Sequence, residues 1–174
     1  IDTYMPAFGG IAASLQATPA QMQQTLSAYL LGFAAMNLFH GAISDSLGRR
    51  RVVVSGLAVF TLATVGCAMS QSIGMLVAFR ALQGMSAGAG SVVSRAIVRD
   101  MFPPEEAQRV MSMVTIFFGL APAVAPMLGG VLFVQFGWHS IFWLLAVIAL
   151  VLLVVNARLL PESLHAHQRQ PFAL

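Results

Sequence analysis

The sequence contains no lysine, and Cys67 is its only cysteine. Charged residues make up 9% of its 174 positions, against about 25% in soluble domains. Residues 3–44, 52–79 and 110–157 contain no Asp, Glu, Lys or Arg at all. With 58% hydrophobic residues and a mean hydropathy of +0.82, a chain of this length cannot bury its apolar surface in water. Its solvent is a bilayer. A single cysteine excludes an internal disulfide, and its place in an apolar run makes it a packing residue. The nine cations are arginines spread between apolar runs. They form no aromatic-interleaved patch, so the pI near 10 does not indicate a nucleic-acid partner. His139, His165 and His167 lie near helix ends or in the tail and show no metal-ligand spacing such as HExxH. This sets aside an intramembrane metalloenzyme; the expectation is no catalytic residue, no metal and no cofactor. Residues 1–15 lack a basic leader and a cleavage site, so they do not read as a signal peptide.

What is present is a set of long apolar spans. The run 110–157 is too long for one crossing and divides into two at QFGWHS. The run 52–79 holds one span, a turn at SQSIG and the start of the next. The reading is an all-α membrane protein of six transmembrane helices: 1–16 (truncated), 19–44, 52–70, 73–98, 105–135 and 138–159. Residues 1–160 form one bundle and residues 161–174 begin a linker. Thr18, Pro19 and Gln21 form a capping box at the start of the second helix. Glu105 and Glu106 follow two prolines, where a helix N-terminus favours acids.

The arginines gather in alternate connections, near 45–51, 99–109 and 158–169. The positive-inside rule then makes these cytoplasmic, sends the first helix outward and leaves the chain's end inside. Trp138 and Trp143, near an outer end, suit an interfacial belt.

One corner is unusually dense. In GAISDSLGRRR, residues 41–51, Gly41 and Gly48 allow close approach and a sharp reversal. Asp45 and Arg49 are spaced to pair if the helix persists.

This corner resembles the loop between the second and third helices of the major facilitator superfamily, with a pattern like G-x-x-x-D-x-x-G-R-R. Gly41, Asp45, Gly48, Arg49 and Arg50 match it; Ala42 stands where drug-efflux members often have proline. The resemblance implies a cytoplasmic latch made by Asp45 and the arginines, with Asp100 as a partner. RALQGMSAGAG is similar to the fourth-helix pattern, with Arg80 and Gly84 in place. APAVAPMLGG is similar to the fifth-helix motif of proton-driven efflux pumps, matching at Pro126, Gly129 and Gly130, with Ala125 in place of a common glycine. IDTYMPAF is similar to the D-x-Y-x-P of the bicyclomycin-resistance (Bcr/CflA) branch. The implied fold is the N-terminal half of a twelve-helix transporter, as two inverted three-helix repeats. The implied partner is a C-terminal six-helix half of the same polypeptide, and the implied location is a bacterial inner membrane.

Physics adds weight at two positions. An ionisable side chain at membrane depth costs at least ~2.5 kcal/mol unless it faces protein or water. Asp2 stands about 15 residues before the first helix ends, roughly 20 Å from the outer side. Arg80 stands about seven residues into the fourth helix, roughly 10 Å deep. Desolvation favours a neutral acid and a nearby cation favours the carboxylate. Asp2 is therefore expected to carry an exchangeable proton and Arg80 to tune it. Tyr4 and Asn37 are further candidates for the substrate cavity, while His40 reads as an interfacial residue. Ala121, Ala125 and Gly129 recur every four positions, a close-packing pattern. With Pro122 and Pro126 in the same helix, it reads as a bent gating helix. The expected function is proton-coupled export of small amphipathic compounds. A proton-coupled uptake symporter for a narrow substrate is the alternative, and a purely structural subunit leaves Asp2 and Arg80 unexplained.

Overall fold

The computed structural model describes residues 2–164. A turn at residues 2–4 leads into a short 3-10 stretch, Met5–Ala7, and then α1, Phe8–Ser14. Five longer helices follow: α2 Pro19–Leu47, α3 Arg49–Ala68, α4 Ile73–Met101, α5 Pro104–Phe136 and α6 His139–Leu159. By length and composition α2, α3, α5 and α6 are able to cross a membrane. The six-helix reading holds, but several boundaries move.

The connections expected at 45–51 and 99–109 are mostly helical. α2 continues through Asp45 to Leu47, and α3 begins at Arg49. Only Gly48 separates them, at φ 101°, a conformation that costs glycine little and other residues much. The second reversal needs only Phe102 and Pro103, because α5 starts at Pro104. Sequence reading places helix ends where charges begin; here charged side chains sit on the last and first turns, where they still reach the interface. Asp2 also lies in the turn before the first helix rather than within it.

The capping box forms as expected. Thr18 Oγ1 accepts from the Gln21 backbone N–H at 3.3 Å, and Gln21 Oε1 accepts from that of Thr18 at 2.9 Å. Ser72 caps α4 in the same way, accepting from the Met75 N–H at 3.3 Å.

α4 is the central element, packed against both α2 and α3, while α3 also packs on α6. Two buried clusters sit at opposite ends. One joins Tyr4, Ile11, Met22, Cys67, Leu76, Trp138 and Phe142. The other joins Val52, Val53, Ala89 and Val93. Trp138 is thus a core residue, 4% exposed, while Trp143 is 46% exposed. The belt reading fails for Trp138, whose ring meets Phe142 edge-on at 6.1 Å. α5 buries little and turns a broad face of Met, Phe, Leu and Val outward.

Candidate functional site

The charged centre of the bundle is built on α4. Arg80 is 2% exposed, so it does not snorkel. Its guanidinium carbon lies 4.8 Å from the centre of the Tyr4 ring and 4.5 Å from that of Tyr29. Two aromatic faces thus bracket the cation, each an electrostatic attraction that strengthens away from water. Arg80 Nη1 donates to Gln83 Oε1 at 2.7 Å, and Gln83 Nε2 donates to Thr64 Oγ1 of α3 at 2.7 Å. The Thr64 hydroxyl in turn donates to the Phe60 carbonyl at 2.6 Å. Tyr4 is positioned from the opposite side. The Thr25 hydroxyl donates to the Met22 carbonyl at 2.7 Å, so the Tyr4 hydroxyl donates to Thr25, at 2.9 Å. Nε and Nη2 of Arg80 have no hydrogen-bond partner among the described residues.

Glycine makes this geometry possible. A Cβ on Gly84 would strike the Tyr29 carbonyl. One turn after Arg80, α4 therefore touches the α2 backbone, and this contact carries the Tyr29 ring to the guanidinium. A Cβ on Gly88, one turn further, would strike Asn37 Oδ1 and crowd His40. Asn37 Oδ1 and His40 Nδ1 are both buried without a hydrogen-bond partner among the described residues.

A cavity of about 460 Å³ opens between α2, α4 and α5. Asp2, Tyr29, Phe33, Ser91, Arg95 and Phe118 are among its lining residues. Of the three residues expected there, only Asp2 lines it. Tyr4 is buried in the core, and Asn37 faces Gly88. Asp2 makes no ion pair with Arg80; Tyr29 is the element common to both, lining the cavity with Asp2 and stacking on Arg80. Gln83, Thr64 and Tyr29 escaped sequence reading, because neutral polar and aromatic residues in apolar spans are ordinarily packing residues. The spacing of Arg80 and Gln83, one helical turn apart, was the available signal.

At the opposite end from the Tyr4 core, Asp45 and Arg49 form an ion pair across the Gly48 turn. Arg49 Nε also meets Asp100 Oδ2 at 3.1 Å, and its Nη1 donates to Ser44 Oγ at 2.6 Å. Glu162, after α6, accepts from the backbone N–H groups of Arg49 and Arg50 at 2.8 and 3.4 Å. It occupies the positive end of α3. Arg50 reaches the Ala157 carbonyl on α6, and Ser163 Oγ donates to Asp100 at 3.3 Å. The linker expected from residue 161 thus begins as a strap across the corner; residues 165–174 lie outside the described residues. Gly41 differs from expectation. A Cβ there would meet nothing within 4 Å, so no neighbour among the described residues demands glycine.

On α5, a Cβ on Gly129 would strike the Thr3 carbonyl, so α5 touches the turn that leads into the first helix there. A Cβ on Gly130 would meet no neighbour within 4 Å among the described residues, and Pro122 and Pro126 lie within the helix. Close packing at the small-residue stripe is therefore concentrated at Gly129; Ala121 is exposed and Ala125 half-buried.

The sequence model described as Major Facilitator Superfamily matches residues 1–173. The chain is 40% identical over its whole length to YdgK of Bacillus subtilis, named as an uncharacterized MFS-type transporter, and spans 44% of that protein. It is 35% identical over its whole length to a bicyclomycin resistance protein homolog of Haemophilus influenzae, again 44% of it. It is 36% identical across 94% of its length to the multidrug resistance protein MdtL of Escherichia coli, spanning 42% of that protein. Among solved structures, the human organic anion transporter MFSD10 matches 99% of the chain at 27% identity and a TM-score of 0.71, over 41% of its own length. The chain spans less than half the length of each of these relatives.

Proposed function

The chain belongs to the Major Facilitator Superfamily, and from that premise we propose that it is part of a proton-coupled exporter of small amphipathic compounds in a bacterial inner membrane. The observation that carries the reading is Asp2, a carboxylate lining the cavity between α2, α4 and α5 without a hydrogen bond or ion pair among the described residues. Tyr29 connects that cavity to the buried cation of Arg80. Such a carboxylate can bind a proton when the cavity is empty and release it as substrate enters, with the fixed positive charge of Arg80 biasing the exchange. The proton is the coupling ion, and no other cofactor is needed. Relatives named for drug and bicyclomycin resistance support export over uptake.

The arginine-rich corner faces the cytoplasm under the positive-inside rule. Arg49, Asp45, Asp100, Arg50 and Glu162 then tie α2, α3, α4 and the end of α6 together on that side, and serve as the cytoplasmic latch. α5, with Pro122, Pro126, Gly129 and Gly130, moves against the first helix. The outward apolar face of α5 meets lipid and a second six-helix half.

The test uses the full-length protein in cells lacking their major efflux pumps. Dye efflux is measured with and without a protonophore, for the native protein and for Asp2→Asn. Efflux abolished by both is the expected result. Efflux that survives the substitution removes Asp2 from coupling.

A further inference from the structure

A second hollow, of about 480 Å³, lies away from Asp2, between α2, α3 and α4. Its walls are almost wholly apolar and include Leu47, Val59, Leu82 and Met85, which are 53%, 38%, 39% and 41% exposed. Its floor is close-packed: a Cβ on Gly56 of α3 would strike Ala89 of α4. The methionines Met36 and Met85 give it a deformable lining.

One charged residue stands at its end. Arg51, on the first turn of α3, lines the hollow, is exposed and makes no hydrogen bond or ion pair among the described residues. Its neighbours Arg49 and Arg50 are both engaged within the corner. From Arg51 to Val59 is eight residues of α3, about 12 Å. That is close to the ~15 Å of hydrocarbon in one leaflet. An unpaired cation at the interface above an apolar furrow of leaflet depth complements one kind of partner, a molecule with an anionic head and a hydrocarbon chain.

We propose that this hollow binds an anionic phospholipid, its phosphate held by Arg51 and one acyl chain laid between α2, α3 and α4. The lipid seals the furrow that the close α3–α4 contact at Gly56 leaves on the bundle surface. This site is independent of the identity of the transported compound.

The test uses purified, delipidated full-length protein in detergent, titrated with phosphatidylglycerol or phosphatidylcholine. Bound lipid is counted by native mass spectrometry. The native protein is expected to retain phosphatidylglycerol in preference. Arg51→Gln removes the cation and is expected to reduce phosphatidylglycerol affinity about five-fold, with a smaller loss for phosphatidylcholine, whose phosphate is offset by its own choline cation. Ser55→Trp, from an exposed lining position on α3, is expected to block both lipids. Unchanged lipid preference in Arg51→Gln overturns the assignment of the headgroup. A Val59→Cys variant that crosslinks to the second half of the polypeptide, rather than to a photoactivatable lipid, overturns the site itself.

Discussion

Arg80 holds its guanidinium 4.5 Å from the Tyr29 ring centre, one helical turn from the point where Gly84 touches the Tyr29 backbone. The two facts are one mechanical unit. The close approach of α2 and α4 fixes the tyrosine, and the tyrosine gives the buried cation a favourable face. Three consequences of this unit, and one of the arginine-rich corner, can be measured in the full-length protein.

Gly84→Val should separate α2 from α4, because its Cβ would meet the Tyr29 carbonyl. Overpacking of a close contact costs about 1–3 kcal/mol. A lowered thermal midpoint in detergent should accompany lost efflux. Gly41→Ala, which faces open space among the described residues, should leave the midpoint of this six-helix unit unchanged.

Gln83→Leu should destabilise the bundle by about 1–3 kcal/mol. It strips the acceptor from Arg80 and the donor from Thr64 in a buried setting. Gln83→Glu keeps the acceptor for Arg80 and adds a counter-charge, while giving up the donor to Thr64. It should fold but export poorly, since Arg80 would then be neutralised by a fixed partner. Efflux and thermal midpoint measured together distinguish the two variants; equal efflux by Gln83→Glu and native protein would remove Arg80's charge from the mechanism.

Arg80→Lys retains the charge and loses the planar group that lies against two rings. A loss of about 1–2 kcal/mol is expected from the cation–aromatic contacts. Tyr29→Phe keeps the ring and should be close to native in stability, whereas Tyr29→Leu should resemble Arg80→Lys. A thermal series across the three variants checks the order.

Arg49 and Asp100 should be coupled. A double-mutant cycle with Arg49→Gln and Asp100→Asn should give an interaction energy of about 0.5–1 kcal/mol, with partial screening by salt. Glu162→Gln should cost about 0.3–1 kcal/mol by removing a negative charge from the α3 N-terminus. Dependence on ionic strength, read from denaturation midpoints, separates these charge effects from packing.

Much of the architecture was legible because the bilayer leaves little choice. Uninterrupted apolar runs of known length must become helices, and their internal hydrogen bonds follow. Thr18 and Gln21 announced a cap that requires only neighbours in sequence. The ends of α2 and α3 were misplaced because a charge near an interface stays wet whether or not its backbone is helical. Trp138 was assigned to the interface on residue type and its place near an outer end; its burial depends on Tyr4 and Ile11 clustering with it, a contact between distant segments that sequence periodicity does not show. Glu162 was invisible as a corner residue because its partners on α3 are more than a hundred positions away.

The sequence by itself determined the solvent, the number of helices, the concentration of charge at alternate connections and the presence of Asp2 and Arg80 in apolar surroundings. Each is a consequence of composition and spacing along one chain. Tertiary structure decided which groups meet. It set Arg80 between Tyr4 and Tyr29, placed Asp2 in a cavity apart from Arg80, and left Arg51 without a partner among the described residues while engaging Arg49. Those outcomes depend on how closely α2, α3 and α4 approach. That closeness is set where Gly84, Gly88 and Gly56 lack a side chain opposite a particular neighbour, a match between two surfaces that no single helix carries alone.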